Sequence, residues 1–523
     1  MRALLALSVI CALGAALAGC AAGGGPADAG TAHDADGLSD GGGDAGRPDG
    51  AGDDGSEPGA LDDLTSSWML FVDDGWIADV SGLERSYHAF ERHPANPVLR
   101  ADQPWEGSKV YIYGTVLPRE HAAGFRMWYK CLPTLAGDVK TRTLYAESDD
   151  GIAWTKPALG VRSFEGSTEN NICFDRPGAS DITSVLHTPW EPEPGRRYTF
   201  VNWENDQPTG YYAGWSADGL RVTDAPGNPV LAAGGDVGQF FFDPHTRLYL
   251  GFVKVPNDVA GTRRRSVAIC SALDVSAWSD PQLVLAPDSY DDRWAAPQQR
   301  THFYGLSAFA YATQYLGLLW IFRATDDEGY YVGPTFVELI SAHSPTQWIR
   351  EQEPRPPILD RGAPGAWDAG QVYTATHPIQ VGDELWLYYG GCDTEHGTPL
   401  DAMRCAVGLA TLRRDGFASL DASAAAGSVT TVALRGAAGA LRVNYRAGPG
   451  GALAVELQDG AGAAIAGHGL ADCDPLTGDS VDATVTWHGD ARLPPADRLS
   501  IRFVLNDASL YAFSAGPSAQ TAP

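Results

Sequence analysis

The chain has 523 residues, with 65 Asp and Glu against 37 Lys and Arg and a formal charge of −28 at pH 7. Such a surface argues against nucleic acid and anionic lipid as partners and repels a polyanion everywhere but at a local basic patch, whereas a neutral sugar fits. Beyond the N-terminal segment no apolar run reaches the ~18 residues of a membrane span, and 316–322 is long enough only for a buried strand.

Residues 1–19 read as a signal peptide, with Met1-Arg2 followed by an apolar Ala/Leu stretch. Leu17-Ala18-Gly19-Cys20 resembles a bacterial lipobox, which implies cleavage before Cys20 and a lipid thioether on its sulfur; an ordinary secretory signal with an incidental Cys is the alternative. Position 21 is Ala rather than Asp, so the expected location is the outer membrane or cell surface of a bacterial envelope, and the lipid anchor is the expected contact with membrane. Residues 20–65 are mostly Ala, Gly, Asp and Pro, too poor in apolar surface to offset ordering entropy, and read as a disordered tether.

The pattern Trp-acid-x-x-x-Val-Tyr then occurs twice, as Trp105-Glu106-Gly107-Ser108-Lys109-Val110-Tyr111 and as Trp367-Asp368-Ala369-Gly370-Gln371-Val372-Tyr373. A second feature recurs as Ser148-Asp149-Asp150-Gly151 with Trp154, Trp215-Ser216-Ala217-Asp218-Gly219, Cys270-Ser271-Ala272-Leu273-Asp274 with Trp278, Ser341-Ala342-His343-Ser344 with Trp348, and Arg414-Asp415-Gly416-Phe417. Asp-Gly supplies the positive φ of a tight turn. Upstream of these lie inner strands predicted at 110–117, 183–186, 238–242, 306–311 and 372–379, and second strands at 125–129, 198–203, 248–254, 317–323 and 384–390. The order inner strand, second strand, outer turn returns every 55–75 residues or so (roughly one blade) and predicts an all-β, five-bladed β-propeller over 66–425.

Segments 70–75 and 96–99 are strand-like and either complete the ring or enter it; Asn228-Pro229-Val230-Leu231 repeats Asn96-Pro97-Val98-Leu99. After 425 the alternating segments 429–434, 441–445, 453–457, 481–487 and 499–505 predict a small β-sandwich over 426–523, as structural support or accessory sugar contact. None of Cys131, Cys173, Cys270, Cys392, Cys405 and Cys473 forms a CxxC pair, so a zinc ribbon is not indicated; Cys392 and Cys405 flank one loop and are the pair expected to bond in an exported protein.

Chemistry in a propeller sits where the innermost strands begin. Those positions hold Glu106, Asp181, Asp236 and Asp368 in the first, second, third and fifth blades, and His302, Phe303 and Tyr304 in the fourth. Any one of these acids reads equally as a turn cap accepting backbone N–H bonds. Taken together they predict an acidic funnel. Glycoside cleavage needs one protonated carboxyl to assist the leaving oxygen and an ionised one to act as nucleophile or base, and crowded acids split their pKa values in that sense. Trp105, Tyr111, Tyr113, Tyr304, Trp367 and Tyr373 lie near the mouth as a sugar platform. His377 reads as functional or as a satisfied core histidine, and Arg323 as the partner of a funnel acid.

The combination Leu70-Phe71-Val72-Asp73-Asp74, Asn96-Pro97-Val98-Leu99, Ser148-Asp149-Asp150-Gly151-Ile152-Ala153-Trp154 and Trp367-Asp368-Ala369-Gly370 resembles the bacterial five-bladed propeller glycosidases near glycoside hydrolase families 32, 43, 62, 68 and 130, above all the group with a family 32 N-terminal-like domain. In families 32 and 43 the acids of the first three blades run Asp, Asp, Glu and serve as nucleophile or base, orienting acid and general acid. The aligned residues here are Glu106, Asp181 and Asp236, and neither an Asn-Asp-Pro-Asn-Gly nor an Arg-Asp-Pro motif is present. Asp73 or Asp74 takes the first-blade role if the register shifts. The resemblance allows an axial calcium ion, for which the sequence shows no ligand set; otherwise no cofactor is implied.

The leading expectation is a monomeric, exported, lipid-anchored glycoside hydrolase with Glu106, Asp181 and Asp236 as catalytic acids, and with Asp368, Trp105, Tyr113, Tyr304, Trp367, His377 and Arg323 as substrate contacts. A non-catalytic carbohydrate-binding surface lipoprotein is the alternative. A phosphorolytic enzyme needs a phosphate clamp, and the basic run Arg263-Arg264-Arg265 reads better as a surface loop.

Overall fold

A computed structural model describes residues 67–120, 122–131, 141–175, 180–205, 208–350, 353–435, 437–496, 498–516 and 520–521, with no side-chain description at 180–183 and 520–521. The signal, Cys20 and the tether lie outside the described residues. Among the described residues no helix is long and apolar enough to cross a membrane.

The chain forms five antiparallel blades. Blade I runs Val110–Pro118, Phe125–Cys131, Arg142–Ser148, Ile172–Phe174; blade II Ser180–His187, Tyr198–Glu204, Gly210–Ser216, Thr223–Asp224; blade III Gly238–Asp243, Leu248–Val259, Thr262–Ala272, Gln282–Leu285. Blade IV runs Arg300–Tyr311, Gln314–Ala324, Thr335–Ser344, Gln347–Ile349, and blade V Gln371–Thr374, Glu384–Cys392, Cys405–Arg413. The outer strand of blade V is Glu91–Arg92, which pairs with Thr411 and Ala410 and so closes the ring with chain from its opposite end. The expected inner and second strands all fall within these blades. That of blade V is interrupted, with Ile379–Val381 pairing separately. The apolar run of blade IV is a second strand buried on both faces, all of Gln314–Ala324 except Arg323 being buried, because neighbouring blades cover each side of it.

The repeated turns set the spacing between blades. At Ser148-Asp149-Asp150-Gly151 the Asp150 carboxylate accepts the N–H groups of Ile152 and Ala153, and Ser148 Oγ accepts that of Gly151. Asp218 and Ser216 do the same for Leu220, Arg221 and Gly219. Gly151 and Gly219 have φ of 75° and 76°. A Cβ on either would stand 2.7 Å from Tyr388 Oη and Trp386 or 2.8 Å from Trp128, so glycine also lets each turn tuck against the second strand of the preceding blade. The Asn-Pro-Val-Leu repeat has an equally local cause. Asn96 pairs its side-chain amide with both backbone groups of Leu409, and Asn228 with those of Ala213, each imitating a strand beside a blade's third strand. Segment 96–99 therefore belongs to blade V.

Hydroxyls join the inner strands around the ring. Val185 N–H donates to Thr115 Oγ1 at 3.0 Å and Phe240 N–H to Ser184 Oγ at 3.1 Å; Thr374 bonds Ser307 at 3.0 Å and Thr376 bonds Thr115 at 3.4 Å. All of these hydroxyls but that of Thr376 are at most 1% exposed, and buried polar groups persist only when satisfied in this way.

The remaining strands Ala418–Ala422, Gly427–Thr431, Arg442–Gln458, Asp479–Thr484 and Ser500–Ser514 join one hydrogen-bonded eight-stranded sheet. Its other three strands are Met69–Leu70, Ile77–Ser81 and Glu84–Tyr87, from the stretch that the sequence assigned to the propeller. The sheet has its own core, with Phe71, Val443, Leu453, Val455, Phe503 and Phe513 among its members. The expected division at 66 and 425 therefore differs from the strand pairing. Alternation shows that a segment is a strand but not which distant strand receives it.

Candidate functional site on the propeller axis

The twin motif is built the same way in both copies, and its acid points away from the axis. Glu106 is fully buried; its Oε1 accepts the Tyr129 hydroxyl at 2.6 Å, and its Oε2 accepts the N–H groups of Asp102 and Gln103 and the Lys156 ammonium at 2.8 Å. Asp368 is 1% exposed; its Oδ2 accepts the Tyr389 hydroxyl at 3.0 Å and Arg92 Nε at 2.7 Å. Tyr129 and Tyr389 occupy second strands of their blades, and Arg92 lies on the ring-closing strand. Each acid thus ties the approach of an inner strand to its own blade through a tyrosine and a cation. Trp105 donates to Asn171 Oδ1 at 2.6 Å, and Trp367 stacks on Tyr389 at 5.6 Å, so both rings serve blade packing.

The remaining expectations divide. The Asp181 backbone pairs with Trp203, and its side chain lies outside the described residues. Arg323 stands over Phe336 and Trp294, with its Nε unbonded, and reaches no funnel acid. His377 Nδ1 shares a hydrogen bond with Thr376 at 3.0 Å. Asp73 accepts from Ser341 and His343 of blade IV, away from the ring centre. Asp236, Tyr304 and Tyr113 do meet.

Tyr113 of blade I stacks on Trp320 of blade IV at 5.4 Å, a contact between non-adjacent blades that a ring of five allows only across its centre. Tyr113 lies 5.0 Å from Tyr373 and 4.9 Å from Tyr111, and Tyr373 lies 5.4 Å from Tyr304. Burial first, then the neighbouring Tyr373, Tyr304 and Tyr111, lifts the Tyr113 phenol well above its ordinary value, so it stays protonated as a donor. Beside this tyrosine wall the Asp236 carboxylate meets Lys254 Nζ at 2.5 Å, and the ammonium stands 4.6 Å over the Tyr304 ring. Tyr304 Oη and His396 Nε2 are 3.3 Å apart, and His396 Nδ1 donates to the Tyr331 carbonyl at 2.6 Å. Arg265 lies 4.1 Å over the Tyr330 ring and donates to its carbonyl at 2.6 Å.

The electrostatics follow from these positions. Burial raises the Asp236 carboxyl, but the Lys254 ammonium and then Arg265 hold it below its ordinary value, so it is ionised. Burial, aided by the charges of Arg265 and Lys254, lowers His396 to about 4. It is therefore neutral near pH 7, with its Nδ1–H fixed on Tyr331 and its Nε2 lone pair turned to the Tyr304 hydroxyl. His302 is also lowered to about 4, by burial first; its Nε2–H bonds the Gly329 carbonyl at 2.8 Å, and its Nδ1 accepts the Arg265 N–H at 3.0 Å. His302 is thus the strut that places Arg265 and the loop carrying Tyr330 and Tyr331. Asp326 stiffens that loop by accepting the N–H groups of Tyr330, Tyr331 and Val332. Tyr330 and Tyr331 are 37% and 44% exposed, and they present rigid aromatic edges beside the polar cluster.

An ionised carboxylate, an ammonium, a phenol and a neutral imidazole can hydrogen-bond a polyhydroxylated ligand and move protons at fixed atoms. Lys254, Arg265 and His396 were not foreseen. Arg263-Arg264-Arg265 lies on the strand Thr262–Ala272 rather than in a surface loop; Arg264 is buried against Asp292, and Arg265 turns to the axis. His396 sits in the loop closed by the Cys392–Cys405 disulfide, the pairing that the sequence pointed to. Lys109, in the motif position that Gln371 holds in the second copy, is fully buried with its ammonium unbonded, and burial, with Arg404, lowers it to about 8. Among the described residues no group of three or more His, Cys, Asp or Glu is arranged to hold a metal ion such as calcium.

No protein-family model matches the chain, and no curated protein does. Solved structures with a similar backbone include a putative glycosidase from Bacteroides thetaiotaomicron, 16% identical over 61% of this chain and 96% of that one, TM-score 0.42. A β-1,2-mannobiose phosphorylase from Listeria innocua is 14% identical over 63% of this chain and 98% of that one, TM-score 0.41. A Bombyx mori GH32 β-fructofuranosidase is 11% identical over 82% of this chain and 95% of that one, TM-score 0.39.

Proposed function

We propose that this protein is an exported, lipid-anchored glycoside hydrolase of the bacterial envelope that works at the propeller axis. The observation that carries the reading is the meeting of Asp236, Lys254, Tyr304 and His396 beside a wall of tyrosines drawn from non-adjacent blades. In this reading Asp236 is the ionised carboxylate, as nucleophile or base, and Asp181 is proposed as the second acid from its matching position at the start of blade II. Tyr304 and His396 position sugar hydroxyls, and Tyr330 and Tyr331 stack on sugar faces. Glu106 and Asp368 are assigned to holding the blades. Their occupation also favours a second reading, a non-catalytic carbohydrate-binding lipoprotein, because it removes two of the four acids first expected at the axis.

A polysaccharide and oligosaccharide panel assayed for new reducing ends tests the first reading. Asp236→Asn is expected to lower turnover about 100-fold or more with the fold unchanged. Binding retained by that variant, with no turnover by the parent on any member, selects the second reading. Cys20→Ala is expected to release the protein from the membrane fraction and to abolish incorporation of labelled fatty acid.

A further inference from the structure

We infer that the axial site takes the end of a saccharide chain and not its middle, so that cleavage there is exo; this rests on the carbohydrate reading above. The blades are antiparallel, so an inner strand begins at the end where its second strand stops and its third strand starts. The connections between second and third strands therefore stand around the mouth. In blade III this connection is a tall hairpin. Gly238, where the inner strand begins, lies opposite Val253, and the second strand stays paired with the third as far as Val259 and Thr262. Residues 254–259 carry it about 20 Å past the inner strand, at ~3.3 Å per residue. The connection of blade IV is 325–334 and that of blade V is 393–404.

These three connections are joined to one another. Arg265 of the hairpin donates its backbone N–H to His302 Nδ1 at 3.0 Å and its guanidinium to the Tyr330 carbonyl at 2.6 Å. Gly333 and His396 exchange both of their backbone hydrogen bonds, at 2.9 and 3.1 Å, which bridges the loops of blades IV and V. His396 Nδ1 adds a third bond, to the Tyr331 carbonyl at 2.6 Å. Each loop is also braced within itself, by Asp326 in blade IV and by the Cys392–Cys405 disulfide in blade V. A continuous rim thus runs over blades III, IV and V, with the exposed Tyr330, Tyr331 and Val332 upon it. Three consecutive blades of five span more than half of the circle. A chain laid straight across the axis leaves the mouth at two opposite points. An arc of more than half a circle meets at least one of them, whatever blades I and II present. Cleavage inside a chain needs sugar units running outward on both sides of the scissile bond, and the rim denies one of the two sides.

The test uses the full mature protein, unaltered, so that no variant has to fold. Products from each polysaccharide of the panel that it cleaves are sized by chromatography from the earliest time points, with viscosity followed alongside. One short product is expected alone from the start, with viscosity nearly unchanged. A ladder of intermediate sizes with an early fall in viscosity overturns exo cleavage and leaves the glycosidase reading in place. In parallel, linear oligosaccharides carrying a bulky fluorophore at one terminus or at the other are titrated against the unlabelled oligomer. Blocking one terminus is expected to weaken binding about tenfold or more, and blocking the other to leave it nearly unchanged. Equal binding of the two blocked forms overturns the inference whether or not the protein cleaves them, and leaves the carbohydrate reading in place. No binding and no cleavage of any saccharide overturns both.

Discussion

At the residue scale the twin motif shows how one acid can serve two ends. Glu106 and Asp368 stand where blade chemistry would place catalytic acids, yet a tyrosine hydroxyl and a cation hold each of them. Neutralising either weakens the charge-assisted hydrogen bonds that a buried carboxylate makes to its tyrosine and its cation, a loss of about 1–3 kcal/mol. Glu106→Gln and Asp368→Asn are therefore expected to lower the thermal midpoint by several degrees while leaving turnover per folded molecule unchanged; a fall in turnover with the midpoint intact would return them to the chemistry. The axial groups set a pH expectation. Asp236 is held below its ordinary 3.8 and is ionised above that value, and His396, lowered to about 4, is neutral above it. Neither group titrates between pH 5 and 8, so the profile of kcat/KM should show no acid limb from this pair in that window. His396→Gln should reduce turnover without moving the profile.

At the element scale the fold is assembled from small side-chain devices that substitute for strands or fasten them. The Asp73 latch is the clearest. Its carboxylate accepts Ser341 Oγ at 2.6 Å and His343 Nε2–H at 3.0 Å, so it fastens the segment after Met69–Leu70 to the third strand of blade IV. Burial raises the Asp73 carboxyl, but the hydrogen bonds from His343 and Ser341 outweigh it and hold it below its ordinary 3.8. The bond to Asp73 raises His343 above its ordinary 6.5. The Asp73 contribution is thus complete above pH 3.8 and is lost as pH falls through the depressed value. The His343 contribution is complete below pH 6.5 and is lost as pH rises through the raised one. The latch is at full strength between these limits. Urea midpoints measured across pH should fall above 6.5 in the parent, and His343→Gln should flatten that alkaline limb while leaving the acid limb of Asp73.

At the scale of the whole molecule, both ends of the described chain close on distant partners. Glu91–Arg92 completes blade V, and Met69–Tyr87 enters the sheet formed by the C-terminal strands. A chain ending at 425 would leave Met69–Leu70 and Ile77–Ser81 without partners and expose Phe71 and its neighbours. It is expected to aggregate or bind a hydrophobic dye, whereas a separable propeller would stay soluble with a cooperative melt.

The sequence by itself determined the number of blades, the order of strands within each, the Asp-Gly turns and the Cys392–Cys405 pairing, because alternation, turn chemistry and loop spacing act over a few neighbouring residues. It also marked Asp236, Tyr304 and Tyr113. It did not tell Asp236 from Glu106 and Asp368, since the destination of a carboxylate depends on which phenol and which cation reach it, and Tyr129, Lys156, Tyr389 and Arg92 come from other segments of the blade. Lys254, Arg265 and His396 looked ordinary along the chain for the same reason. Only closure of the ring brought their charges to one place, and with it decided what that place can bind.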